Sequence, residues 1–195
     1  MRRVFAYLTK QRKITPGIVS YFAKSNLLYE DAEYHNAVFV GMDEHATPRH
    51  AHKRSTNSSG KAFRQNIEGS DPKYSFHYIG KSEFLFVFEA PIDLLSYLSL
   101  HPDSWTQHSY VACCGVSSLP VLELLKLHPR ITTVYLCLDN DSAGNAASKR
   151  MMEFLVEQGI SVARLSPALK DWNDVLVTRS SSPSEEVSPC QISGS

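Results

Sequence analysis

Phe84-Leu85-Phe86-Val87-Phe88-Glu89 is an unbroken apolar run closed by a carboxylate, and Thr133-Val134-Tyr135-Leu136-Cys137-Leu138 is a second, closed by Asp139-Asn140-Asp141. Apolar runs of this length read as strands buried on both faces, the pattern of a parallel sheet covered by helices. On either side the grammar repeats. Strands are expected at 84–89, 109–113, 132–138 and 161–165, with helices near 91–100, 119–127 and 142–158 and a short one from about Asp171. Alternating strands and helices predict an α/β fold of parallel βαβ units.

Upstream of Gly80 the pattern differs. Residues 2–10 read as a short helix, and Thr15-Pro16 signals a second one that runs to about Lys24. Short β-like runs follow at 37–40, 50–54, 62–67 and 74–79, separated by polar turn clusters, which predict a small antiparallel sheet. The organisation expected is an α+β N-terminal subdomain over 1–80, the parallel α/β domain over 81–178 and a Ser-rich, Pro-interrupted disordered tail over 179–195.

Bulk composition narrows the function. The 195 residues are 43% hydrophobic, enough for a real core. No apolar run approaches the roughly 18 to 20 residues of a membrane span, and no secretory signal follows the basic N-terminus, so no membrane partner and a cytoplasmic location are expected. The formal net charge of zero is uneven: residues 1–80 hold twelve Lys and Arg against seven Asp and Glu, and the rest hold eight against thirteen. A basic half beside an acidic half suits a polyanion held over metal-binding carboxylates. The four cysteines show no CxxC spacing and read as reduced thiols.

Ligands of open parallel sheets gather beyond the carboxyl ends of the strands, where Glu89, Asp139 and Asp141 stand. Asp139 and Asp141, two apart on an extended segment, share a face. Carboxylates brought together repel unless a cation intervenes, and clustered oxygens select a hard ion, Mg²⁺ or Mn²⁺. Each acid alone has a plainer use, as a helix-dipole partner or as the N-cap of the helix from Ser142.

Phe88-Glu89-Ala90-Pro91-Ile92-Asp93 resembles the Toprim glutamate motif, and Leu138-Asp139-Asn140-Asp141-Ser142-Ala143-Gly144 is similar to the Toprim Asp-x-Asp motif. Ala90 stands where the family commonly has glycine. Toprim domains occur in bacterial primases, topoisomerases and several nucleases. The resemblance implies a catalytic, metal-binding trio of Glu89, Asp139 and Asp141, with Glu89 also as general acid or base. Gly115 resembles the glycine that begins the intervening loop. Lys170-Asp171-Trp172-Asn173-Asp174 looks like an element near the end of primase-like Toprim domains, which makes Lys170, Asp171 and Asp174, with Asp93, candidate additional site residues.

Residues 1–80 resemble in layout the basic subdomain that precedes Toprim in bacterial replicative primases and in primase-like proteins of plasmids and other mobile elements. That likeness implies Arg49, Lys53, Arg54, Lys61 and Arg64 as the lining of a single-strand path. The expected function is a Mg²⁺- or Mn²⁺-dependent, primase-like nucleotidyltransferase acting on single-stranded DNA and nucleotides, with other replication or mobilisation proteins as partners. Neither cysteines nor length supply a zinc ribbon or helicase-binding region, so a minimal or accessory version is expected. A Toprim nuclease and a non-catalytic DNA-binding accessory protein are the alternatives. Ser59-Gly60-Lys61 fails as a phosphate-binding loop, and His45, His50 and His52 lack further ligands for zinc.

Overall fold

The structure is a computed structural model that describes residues 1–57 and 63–181. Two sheets organise the chain. Helix α1 (Arg2–Ala6) continues as π-helical turns over Tyr7–Gln11, and α2 (Pro16–Lys24) starts with Pro16 in its first turn. An antiparallel sheet follows, built from β1 (Leu28–Glu30), β2 (Ala37–Met42), β3 (Pro48–Arg54) and β4 (Arg64–Asn66) in sequential order. Short connections between neighbouring strands make this the simplest topology. Strand β1 carries no distinct sequence signal, because Leu28-Tyr29-Glu30 is too short to show alternation.

The second sheet has five strands in the order β5-β7-β6-β8-β9, from β5 (His77–Tyr78), β6 (Phe84–Phe88), β7 (Ser109–Ala112), β8 (Thr133–Leu136) and β9 (Ser161–Arg164). Strands β7, β6, β8 and β9 run parallel, as expected, while β5 joins antiparallel at the edge of β7. The 74–79 run was expected in the N-terminal sheet. Instead Pro72–Tyr74 forms a 3₁₀ turn and only His77 and Tyr78 pair, with Val111 and Tyr110 of the second sheet.

Helices α3 (Pro91–Leu100), α4 (Leu119–Leu127), α5 (Ser142–Glu157) and α6 (Trp172–Ser181) cover this sheet. Alternation along β6 assigns the faces. Leu85 and Val87 enter a cluster with Val121 and Leu124 of α4 and Ala147, Met151 and Leu155 of α5. Phe88 enters the other cluster, with α3 (Leu94, Leu95, Leu98) and α6 (Trp172, Leu176). That second cluster also takes in Val4, Leu8, Ile18, Val19 and Phe22 of the N-terminal helices and Leu28 and Phe39 of the first sheet, so both halves share one core. The helix α6 runs through Ser180 and Ser181, which the sequence assigned to the tail; the rest of the tail, and Cys190 in it, lie outside the described residues. Among the described residues Cys113, Cys114 and Cys137 are free thiols, and no helix is long and apolar enough to cross a membrane.

Candidate active site

Parallel pairing brings the acids together. Phe84, Leu85, Phe86 and Val87 lie beside Thr133, Val134, Tyr135 and Leu136, and the Cys137 amide donates to the Val87 carbonyl at 2.8 Å. Glu89 therefore leaves β6 on the same edge of the sheet where Asp139 and Asp141 leave β8. All three line one concave pocket of about 330 Å³, together with Asp93 and Asp171 and with Arg12, Arg54, Arg64 and Lys170.

Backbone contacts fix this edge. Gly115, at φ +145°, a conformation that favours glycine, donates its amide to the Glu89 carbonyl at 3.1 Å. Arg164 of β9 donates to the carbonyls of Leu136 at 3.0 Å and Asp139 at 2.9 Å. The Asn140 amide donates to the Lys170 carbonyl at 2.7 Å, and Trp172 donates its indole N–H to the Cys137 carbonyl at 2.9 Å. Helix α5 then approaches so closely that a Cβ on Gly144 would stand 2.2 Å from the Asp139 carbonyl oxygen, which explains the glycine there.

The acids differ in what holds them. Glu89 Oε1 faces Arg64 Nη1 at 3.5 Å. Asp141 is the N-cap of α5 and accepts the Gly144 amide at 2.9 Å, so its plainer role and its place in the pocket coexist. Asp139 Oδ1 is buried with no hydrogen-bond partner. Burial first, then the charges of Glu89, Asp171 and Asp141, push the Asp139 carboxyl up to about 7. Asp93, in the first turn of α3, accepts the Asn173 amide at 3.2 Å and is pushed up to about 8 by burial, then by Asp171 and Asp139. Asp171 caps α6 by accepting the Asp174 amide at 2.7 Å, whereas Asp174 itself is exposed and outside the pocket lining.

The donors are all carboxylate oxygens, the chemistry of a hard divalent ion, and the unpartnered Asp139 oxygen is one that such an ion would satisfy. The set fits the metal in kind. As the side chains lie, no three His, Cys, Asp or Glu among the described residues form a group that could hold a metal ion; Glu89 faces Arg64, and Asp141 accepts from the helix it caps.

The basic residues divide. Arg54 and Arg64, paired across β3 and β4, line the pocket. Arg49 and Lys53 do not: Arg49 is bound to Asp43 at 2.7 Å and Lys53 lies 3.4 Å from Asp31. Lys61 lies outside the described residues. Two polar pocket residues escaped the sequence reading. Asn173 sat unassigned within the quoted Lys170–Asp174 element, and Arg12 carries no local signal, since its partner Asn173 is 161 residues away.

The carboxylates stand at the carboxyl ends of two adjacent parallel strands, with one strand and two α-helices between them in the chain, and residues 86–176 match the family described as Toprim-like. The chain carries a Toprim domain on a primase-like fold. Residues 6–82 match a second family, described as a protein of unknown function (DUF3991). An uncharacterized Bacillus anthracis protein, pXO2-78, is 28% identical over 193 residues, which cover 88% of this chain and 56% of the relative, so the chain spans little more than half of that relative's length. Among solved structures, the primase fragment of the bacteriophage T7 primase-helicase protein superposes with a TM-score of 0.64 at 15% identity, covering 87% of this chain and 68% of that one. A chain from the bacteriophage T7 lagging-strand DNA polymerase interacting with primase domains bound to an RNA/DNA hybrid and dTTP gives 0.63 at 16% identity, covering 87% and 84%.

Proposed function

We propose that this chain is a divalent-metal-dependent, primase-like nucleotidyltransferase that joins nucleotides on a single-stranded DNA template. The observation that carries the reading is the convergence of Glu89, Asp139 and Asp141, from two adjacent strands, on one pocket that also holds arginines. Glu89, Asp139 and Asp141 are the residues that would hold Mg²⁺ or Mn²⁺, which when bound supplies charge stabilisation at phosphate and lowers the pKa of an attacking hydroxyl. In nucleotidyl transfer a 3′-hydroxyl oxygen attacks the α-phosphorus and pyrophosphate leaves; Glu89 is the carboxylate assigned to take the hydroxyl proton. Arg54 and Arg64 hold phosphate oxygens, and guanidinium forks suit that task better than ammonium groups. Lys170 and Asp171 complete the pocket rim, with Asp93 behind them. The setting proposed is replication of plasmid or mobile-element DNA in the cytoplasm, with other replication or mobilisation proteins as partners, in keeping with the name of the pXO2 relative. We assign residues 1–80 to template handling and 81–178 to chemistry.

Incubation with single-stranded template, labelled nucleoside triphosphates and Mg²⁺ tests this. Lengthened products support the proposal, and shortening of a labelled strand assigns a nuclease instead. Asp139→Asn is expected to lower synthesis by on the order of a hundredfold or more. Were Asp139→Ala and Asp141→Ala to leave metal affinity in calorimetry and every activity unchanged, a non-catalytic DNA-binding role would replace the enzyme.

A further inference from the structure

On the face of the parallel sheet covered by α4 and α5, large apolar side chains stay open to solvent. Helix α5 turns Ala147, Met151 and Leu155 into the cluster beneath it, yet Phe154 is 42% exposed. Val116 and Leu119, at the entry to α4, are 48% and 45% exposed. Between that entry and α5 lies a groove of about 210 Å³, lined by Val116, Ser118, Ala147, Arg150, Met151 and Phe154. Its floor is firm, because Ala147 and Met151 are buried members of the core cluster.

Arg150 is the one charged side chain of this lining. It is exposed, and among the described residues its guanidinium has no hydrogen bond and no carboxylate within ion-pair distance. Glu153, one turn further on, lies 4.0 Å from Lys149 instead.

Shape and charge together select the occupant. The groove is smaller than the roughly 300 to 1,000 Å³ of small-molecule pockets and suits one or two apolar side chains. Along α5, Ala143, Ala147, Arg150 and Phe154 recur at alternating four- and three-residue spacing, a stripe against which a second helix can lie, with small side chains at its start. A lone guanidinium beside an apolar groove is complemented by a carboxylate. A second copy of this chain, paired through the same face, brings the same lining residues and no acid. A nucleic acid needs a row of cations to follow its phosphates, and here Lys149 faces Glu153 while Arg150 stands alone.

We infer that this groove docks an acidic amphipathic helix of a partner protein, with Val116 and Phe154 flanking its apolar stripe and Arg150 pairing with a carboxylate beside that stripe. No pocket acid takes part, so the docking is independent of nucleotidyl transfer. The partner nonetheless sits beside the carboxyl edge of the sheet, since Val116 follows Gly115, whose amide donates to the Glu89 carbonyl.

The test is fluorescence anisotropy of the full chain with a fluorescein-labelled peptide, Ala-Glu-Glu-Leu-Ala-Glu-Leu-Phe-Glu-Glu-Ala, whose large apolar residues share one helical stripe. A twin with lysine at every glutamate and a labelled single-stranded oligonucleotide are titrated beside it. The acidic peptide is expected to bind saturably and the lysine twin not to bind. Phe154→Ala should weaken the acidic peptide about tenfold, the loss of an aromatic anchor, and Lys24→Ala, on the exposed side of α2, should leave it unchanged. Arg150→Glu should weaken the acidic peptide about tenfold and let the lysine twin bind, a reversal that loss of folded protein does not produce. Circular dichroism confirms that each variant is folded, and Val116→Ser tests the opposite wall if Phe154→Ala is not. Absence of saturable binding by the acidic peptide overturns the docking site, as does binding that the folded variants retain in full. Oligonucleotide binding that Arg150→Glu abolishes, with no peptide bound, assigns the face to nucleic acid instead; self-association in sedimentation that Phe154→Ala abolishes, again with no peptide bound, assigns it to a second copy.

Discussion

Asp139 carries the densest chemistry of any side chain in the molecule: one oxygen buried without a partner, at the centre of a pocket of acids. Elsewhere, burial acts on bases. His50 and His52 project from the same face of β3, each 3% exposed. Burial, then the neighbouring His52, lowers the His50 pKa to about 4, and burial lowers that of His52 too. A histidine whose folded pKa lies below its unfolded value binds fewer protons in the fold, so its contribution is complete above about pH 6.5 and is lost as pH falls toward 4. At about 1.4 kcal/mol per pH unit, that loss is on the order of 3 kcal/mol for His50. Urea unfolding at pH 7 and pH 4.5 should show the drop in wild type and a flatter profile in His50→Gln; equal slopes in the two proteins would remove His50 as its source.

At the scale of elements, the turn from β8 into α5 joins chemistry to architecture. Asp141 caps the helix while it faces the pocket, and Gly144 lets the first turn of α5 pass the Asp139 carbonyl. Gly144→Ala drives a Cβ into that oxygen, and an overpacked contact of this kind costs about 1–3 kcal/mol. Its thermal midpoint should therefore fall by several degrees, and Mn²⁺ affinity should fall with it because the displaced backbone carries Asp139. A variant with lowered stability and wild-type Mn²⁺ affinity would show that the turn does not position the acid. The sequence displayed the glycine and both acids, but the close approach that requires the glycine depends on α5 packing against β8 through Ala147, Met151 and Leu155.

Across the whole molecule, the N-terminal half is part of the site and of the core. Phe88, Leu94 and Leu95 share a cluster with Leu8, Val19 and Phe22, and Phe22 packs against Phe76 at 5.2 Å between ring centroids. Deleting large buried side chains costs about 2–5 kcal/mol each, more in sum than a domain of this size holds in reserve. A fragment of residues 81–181 should therefore be loosely packed, with strong ANS fluorescence and no cooperative thermal transition; a cooperative transition near that of the full chain would show that the parallel sheet folds alone.

Local order was written in the sequence because it follows from local forces. Apolar runs of strand length set β6 and β8, the helical spacing from Ser142 set α5, and the acids that close the two runs had to leave the same edge of a parallel sheet. Pairing partners and distant contacts were settled only by the fold. His77 and Tyr78 went to the second sheet because its β7 edge was open to them, and Arg12 met Asn173 and Tyr7 met Arg54 through the shared core, across 161 and 47 residues. Such contacts leave no periodic trace in the chain, since they depend on which buried surfaces meet and not on the residues beside them.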